Sequence, residues 1–265
     1  MSRQTIAVLG PKGTFTSIAA QKMYPKAELL CLETVGKVFE HVQQNTGAIG
    51  VVALENSLEG SVGETLTRLL EHEVYIIKEY VMEVKFGLVA KKGAVIDEVK
   101  ELLSHPHALA QCANYLQVKL PNARLVGVNS TTDALNQAKD DETKAAVAFT
   151  ETAKDYGLTI LDTDIQDSYS ETRFIAISSR PAEGGKTSII FALKDQPGAL
   201  QDLLNVFTEN KINLTKIESR PARTQLGDYL FFIDFENKNM HGRELARLLH
   251  KIRDKTDYFK NLGSY

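Results

Sequence analysis

The sequence predicts an α/β fold with mainly parallel strands, followed by a smaller ferredoxin-like module. Short apolar runs alternate with helix-like segments through about residue 160. A polar stretch containing Gly and Pro, Arg180 to Lys186, then interrupts the pattern. Beyond it the apolar runs read βαββαβ over about 80 residues, the ferredoxin-like order.

Ile6 to Leu9 is a short strand running into Gly10, Pro11, Lys12, Gly13, Thr14, Phe15 and Thr16, with a helix from about Ser17. Ile49 to Leu54 is continuously apolar, as a strand buried on both faces reads. Glu55, Asn56 and Ser57 are expected just beyond its carboxyl end, where open α/β sheets bind ligands. Ser61, with Glu64 three residues on and Leu66, Leu69 and Leu70 beyond, reads as a capping box opening an amphipathic helix. Val74 to Tyr80 and Val84 to Ala90 are two strands with little room for a helix between them, so the second is expected to lead into another lobe. Leu102 and Leu103 run into Ser104, His105 and Pro106, then a helix through about Val118; proline suits the first helical position. Val126 to Val128 lead into Ser130, Thr131 and Thr132, with Asp133 placed to complete a cap. Ala145 to Phe149, Leu158 to Leu161 and Thr172 to Ser178 are further strands. Four hydroxyl-capped helix N-termini in series, each after a strand, point to one shared anionic ligand. Each by itself also reads as an ordinary N-cap.

In the C-terminal part we read a strand over 187–193, a helix over 198–210, strands over 213–219 and 229–236, a helix over 242–253 and a last strand near 258–262. Asp195-Gln196-Pro197-Gly198 is a turn sequence in its own right.

Composition narrows the function. A formal net charge of −3 gives no basic footprint for nucleic acid. No apolar stretch approaches the length of a membrane span. The N-terminus enters a strand without a signal peptide, so the expected compartment is the cytoplasm. Cys31 and Cys112 form no ligand spacing and are read as reduced; Cys112 falls on a helical stripe with Leu109 and Leu116 and is expected to pack as a small apolar group. There is no GxGxxG after a strand, no P-loop and no HExxH. His105 and His107 flank a proline, which is not a sound metal spacing on a helix. The expected site is therefore free of metal and cofactor, rich in hydroxyls, and suited to an anionic small molecule.

Several segments occur in a telling order: Gly-Pro-Lys-Gly-Thr-Phe-Thr at 10–16, Glu-Asn-Ser at 55–57 with Gly60 and Val62, Ser-His-Pro at 104–106, Ala-Leu-Ala-Gln-Cys at 108–112, Ser130-Thr131 and Thr172-Arg173-Phe174. Together they resemble the prephenate dehydratase family. Gly198-Ala199-Leu200 and Glu218-Ser219-Arg220-Pro221 resemble its ACT regulatory domain. Three positions depart from the family pattern: Ser170 stands where Asn is usual, His107 where Gln is usual, and Phe149-Thr150 where small residues ending in Ser are common.

The resemblance implies a two-lobed, periplasmic-binding-protein-like catalytic domain over 1–179, its second lobe at roughly 80–160, and an ACT domain over 186–265. It implies decarboxylating dehydration of prephenate to phenylpyruvate without a cofactor. Thr172 would supply the proton or hydrogen bond to the departing hydroxyl, with Glu55 the alternative proton source. Arg173 would pair a substrate carboxylate; without the resemblance it reads rather as a surface charge at a strand end. Thr14, Asn56, Ser57, Ser104 and Gln111 would hold substrate oxygens. L-phenylalanine would bind as effector near Gly198, Ala199 and Leu200 and near Glu218, Ser219, Arg220 and Pro221, at an interface between two modules of a homodimer or homotetramer. The alternatives are an arogenate dehydratase and a non-catalytic sensor of aromatic acids.

Overall fold

The computed structural model describes residues 4–222, 229–240 and 242–265. The chain opens with β1 (Thr5–Leu9), α1 (Phe15–Met23), β2 (Glu28–Leu32), α2 (Val35–Gln44), β3 (Ile49–Asn56), β4 (Gly60–Ser61), α3 (Gly63–Glu71) and β5 (Tyr75–Glu83). It continues through β6 (Gly87–Ala90), β7 (Glu101–Ser104), α4 (Pro106–Gln111), α5 (Ala113–Lys119), β8 (Arg124–Gly127), α6 (Thr131–Ala138), β9 (Lys144–Ala148), α7 (Thr150–Ala153), β10 (Thr159–Asp162) and β11 (Glu171–Ser178). One sheet has the order β2-β1-β3-β11-β5, with β4 paired to β3. A second has the order β10-β6-β9-β7-β8. The chain thus leaves the first sheet after β5, builds the second, and returns through β11, as a two-lobed fold requires.

The remaining elements are β12 (Lys186–Ala192), α8 (Ala199–Glu209), β13 (Leu214–Pro221), β14 (Tyr229–Glu236), α9 (Gly242–Arg253) and β15 (Tyr258–Ser264). Their sheet has the order β13-β14-β12-β15, with antiparallel pairs throughout. Ile189, Phe191, Ile233 and Phe235 alternate onto one face and pack with Leu203, Val206, Phe207, Leu248 and Ile252 of the two helices. This is the expected βαββαβ module, each element falling within two residues of the expected bounds.

By contacts the chain divides into two compact units. One holds residues up to Val35, Val51–Val62 and Tyr80–Phe174. The other holds Gly36–Gly50, Gly63–Glu79 and Ile175–Tyr265. In the first unit the second sheet is buried on both faces. Leu88, Leu102, Ala145 and Val147 pack with Leu109, Cys112 and Leu116, while Val89, Leu103 and Ala146 pack with Ala134, Leu135 and Ala138. Phe15 packs edge-on against Phe86 and Phe149 at 5.5 and 5.6 Å, joining α1 to this core.

The structure corrects several local expectations. The second sheet is mixed: β6 runs antiparallel to both β9 and β10, while β7 is parallel to β8 and β9. The strand expected at 84–90 is confined to β6, and β5 reaches Glu83. Glu55 and Asn56 lie within β3, because they pair with Ser61 and Gly60 across a tight turn. Gly60 takes φ 79° there, a conformation that favours glycine. With Ser61 held in β4, the next helix starts at Gly63 rather than at a Ser61 cap.

The helix expected over 106–118 breaks at Cys112 into α4 and α5. Asp167 explains the break. Its carboxylate accepts the Asn114 and Tyr115 N–H groups at 2.9 and 3.2 Å, and its own N–H donates to the Gln111 carbonyl at 2.7 Å. A residue distant in sequence thus satisfies the ends of both short helices, α4 through its backbone N–H and α5 through its carboxylate.

Asp167→Ala should therefore destabilise the fold by about 1 kcal/mol, the usual cost of a lost N-cap, read as a shift of the urea midpoint at unchanged slope. Cys112 is fully buried and its thiol is pushed up to about 12 by burial, whereas Cys31 is exposed. A thiol assay near pH 8 should find one fast cysteine in the folded protein and two after denaturation; two fast thiols in the folded protein would contradict this packing.

Candidate active site

Two neighbouring strands, β3 and β11, set the centre of the site. Successive side chains on a strand point to opposite faces. Asn56 on β3 and Thr172 on β11 share one face, and Asn56 Nδ2 donates to Thr172 Oγ1 at 3.0 Å and to Ser170 Oγ at 2.9 Å. Asn56 Oδ1 accepts the backbone N–H groups of Leu58 and Glu59 at 2.9 and 3.1 Å. A backbone N–H can only donate, so these two bonds fix which way the carboxamide faces. Both hydroxyls therefore accept from Asn56, and the Thr172 proton is directed away from it. Ser170 is almost fully buried and serves as one of these two acceptors.

Thr172 lines a cavity of about 360 Å³. Thr14, Phe15 and Thr16 come from the start of α1, and Asn129, Ser130 and Thr131 from the start of α6. His105, His107, Ala108 and Gln111 come from α4 and its cap, Asn56 from the end of β3 and Glu59 from the turn after it. Val84 and Phe86 add an apolar wall. Three of the four expected helix N-termini thus meet at one cavity. Thr14 caps α1 through the Ser17 N–H, and Ser130 caps α6 through the Asp133 N–H. At α4 the cap is His105 rather than Ser104, its Nδ1 accepting the His107 N–H at 3.3 Å. Clustered N-termini favour an anion through their unpaired N–H groups and dipoles.

Glu59 Oε1 meets His107 Nδ1 at 2.8 Å and accepts from Gln111 Nε2 at 3.1 Å. Gln111 therefore faces the cavity. Its Oε1 is buried with no hydrogen-bond partner among the described residues, an arrangement a ligand donor would satisfy. The His105 imidazole is held below its ordinary pKa by burial first and then by the charge of His107, with Glu59 opposing.

The structure draws four expected residues away from this cavity. Arg173, the next residue on β11, points to the opposite face, where it is buried and its Nη1 donates to Glu55 Oε1 at 2.9 Å. Glu55 and Arg173 thus hold each other; neither lines the cavity. Ser104 is fully buried and donates to the Val147 carbonyl at 2.6 Å, tying β7 to β9. Ser57 Oγ accepts the Glu171 N–H at 2.9 Å, and the Ser57 N–H donates to the Glu171 carbonyl. These four residues frame the site rather than line it.

Sequence reasoning missed Glu59, His105 and His107 as cavity residues. His107 and Gln111 stand four apart, which places them on one face of α4 and was a usable signal. Glu59 carried none, since its partners lie 48 and 52 residues away.

Gly198 caps α8 in the left-handed region, φ 88°. Ala199 lines a small cavity with Asp202 and Asp257, whereas Arg220 and Pro221 line another with Leu66 and Phe232. Arg220 Nη1 donates to the Gly63 carbonyl at 3.0 Å, and Glu218 pairs with Lys216. Leu200 is half-buried and Ser219 exposed on the edge strand β13. Within one chain the two expected halves of an effector site stay in separate cavities. A larger depression of about 620 Å³, edged by Lys211, Glu236, Lys238 and Arg247, holds none of the motif residues. Among the described residues no group of three or more His, Cys, Asp or Glu side chains is placed to hold a metal, and no helix is long and apolar enough to cross a membrane.

A two-lobed α/β fold with an anion-favouring, hydroxyl-bearing cavity, followed by a ferredoxin-like module, defines a ligand-binding protein with an appended α/β module. Residues 6–182 match the prephenate dehydratase family and residues 187–253 the ACT domain. A prephenate dehydratase of Methanocaldococcus jannaschii is 37% identical over 100% of this chain and 98% of its own. A bifunctional chorismate mutase/prephenate dehydratase of Aquifex aeolicus is 41% identical over 98% of this chain and 73% of its own. The crystal structure of an Arthrobacter aurescens prephenate dehydratase in complex with L-Phe is 32% identical, covers 98% of this chain and 89% of its own, and superposes with a TM-score of 0.86. A structure described as GqqA, a novel type of quorum quenching acylase, has the same TM-score at 26% identity, covering 98% and 97% of the two chains. Fold likeness alone therefore does not choose an activity. The family match over most of the sequence does: the chain belongs to the prephenate dehydratase family and carries an ACT domain.

Asn56→Asp tests the direction of the central hydrogen bond. A carboxylate can only accept, so it would draw the Thr172 proton to itself. The fold should survive and kcat should fall by about a hundredfold, the lower end of what a positioned proton donor contributes.

Proposed function

We propose that the protein catalyses the decarboxylating dehydration of prephenate to phenylpyruvate in the cavity lined by Thr172. The observation that carries this reading is the Asn56–Thr172 bond, which leaves the threonine proton available toward an anion-favouring cavity. In the reaction the bond from the ring to its carboxylate breaks and CO2 leaves. The electron pair passes through the ring, the carbon–oxygen bond opposite breaks, and the departing hydroxide takes a proton to become water. The ring becomes aromatic, so the substrate supplies the driving force and the protein supplies placement and a hydrogen-bond donor.

Thr172 donates to the leaving oxygen. A threonine hydroxyl is a weak acid, and the bond accepted from Asn56 makes it a better donor. The N-terminal amides of α1 and α6 hold the carboxylates, and Gln111 Oε1 accepts from a substrate hydroxyl. Glu55 and Arg173 act by bracing β3 against β11. The catalytic domain is placed at residues 1–179 and the ACT domain at 186–265. L-phenylalanine acts as effector at the ACT domain, with the Gly198–Leu200 turn of one module facing the Glu218–Pro221 strand of another in a homodimer or homotetramer. That pairing accounts for the separation of the two halves within one chain. The expected compartment is the cytoplasm.

Incubation of the purified protein with prephenate at neutral pH, with phenylpyruvate followed by absorbance in alkali, tests the reaction. Turnover of prephenate faster than of arogenate is expected; arogenate turnover alone would move the assignment to an arogenate dehydratase, and binding without turnover to a sensor. L-phenylalanine should lower the rate and raise the thermal midpoint through preferential binding. An unchanged rate and an unchanged midpoint would contradict the effector role.

A further inference from the structure

Prephenate carries two carboxylates, yet among the described residues no lysine or arginine lines the cavity assigned to it. Among the described lining residues the titratable groups are Glu59, His105 and His107. The starts of α1 and α6 bring amide N–H groups and uncharged side chains, and β11 brings Thr172. The cavity therefore contains one fixed anion and two imidazoles that could offset it.

The two imidazoles are not equivalent. Their rings stack at 5.2 Å with an interplanar angle of 16°, which disfavours charging both. His105 Nδ1 accepts the His107 N–H, so its proton sits on Nε2 and the ring is held neutral. Burial adds to this and lowers its pKa. His107 has the opposite setting. Its Nδ1 faces Glu59 Oε1 at 2.8 Å, and an ionised carboxylate only accepts, so Nδ1 carries a proton. When the ring is neutral, Nε2 offers a lone pair and the Glu59–His107 pair has a net charge of −1. When the ring is protonated, Nε2 becomes a donor and the pair is neutral.

We propose that His107, seated on Glu59, is the cation of the substrate cavity: its protonated imidazole cancels the Glu59 charge and presents Nε2–H to a carboxylate of the substrate. This rests on the prephenate reading above. Glutamine at 107 could hold Glu59 by a hydrogen bond but could not cancel its charge. Gln111, the other partner of Glu59, is likewise neutral.

Charge cancellation at the cavity mouth acts on substrate association more than on bond breaking. His107 is 64% exposed, so solvent screens the effect. The expected size is about fivefold, the upper end for one exposed charge pair.

The test is steady-state kcat and KM for prephenate between pH 5.5 and 9 in wild type, His107→Gln and Glu59→Gln. Both prephenate carboxylates stay ionised over this range. Wild-type KM should lie about fivefold below that of His107→Gln at the acidic end of this range and approach it at the alkaline end. The His107→Gln enzyme should show the raised KM at every pH, with no titration. Glu59→Gln should keep KM low at alkaline pH, and added salt should shrink the differences. Superimposable KM profiles for wild type and His107→Gln would overturn the proposal while leaving the reaction assigned. Absence of prephenate turnover by the wild type would overturn the functional reading and this inference together.

Discussion

The pairing of β3 with β11 is the constraint on which the site depends. Each strand offers a polar dipeptide, Glu55-Asn56 and Thr172-Arg173, and strand alternation sends the members of each to opposite faces. On one face Asn56 holds Thr172 at the cavity; on the other Arg173 meets Glu55 in a largely buried ion pair. The two faces are mutually dependent. A one-residue slip of either strand would bury the threonine and turn the arginine into the cavity. The ion pair need not add net stability to hold this register, because breaking it by removing one partner would leave a buried charge at a cost of about 3–5 kcal/mol.

Around this pair the protein favours anions mainly through backbone. The starts of α1 and α6 line the cavity and are capped by Thr14 and Ser130, whose side chains take up one amide each. Fixed dipoles of this kind need no reorganisation when charge moves during the reaction. They also carry no side-chain entropy, unlike a lysine or arginine. A dianion bound mainly by amides would be sensitive to any nearby fixed charge, and so the state of the Glu59–His107 pair matters.

Much of this was legible in the sequence. Apolar runs and the linker at 180–186 gave both parts of the fold, and the C-terminal elements fell close to their expected places because each has its own period and turn chemistry. Thr172, Asn56, Thr14 and Gln111 were singled out and line the cavity. What was not legible depends on partners distant in sequence. Asp167 splits a helix that periodicity reads as continuous. Ser104 and Arg173 were expected as ligands from the family resemblance, but their hydrogen bonds go to Val147 and Glu55. Ser57 looked like a ligand from its place after the strand, and it instead ties the turn to Glu171. Glu59 had no local signal, and only the fold brings it to His107 and Gln111.

The most direct measurement is kcat for prephenate in Thr172→Val beside Thr172→Ser, with folding of both confirmed by circular dichroism. Valine keeps the shape and removes the hydroxyl; serine keeps the hydroxyl and removes a methyl. The account predicts a loss of about 10²- to 10⁴-fold for valine and retention within about tenfold for serine. A folded Thr172→Val enzyme that turned prephenate over at close to the wild-type rate would contradict it.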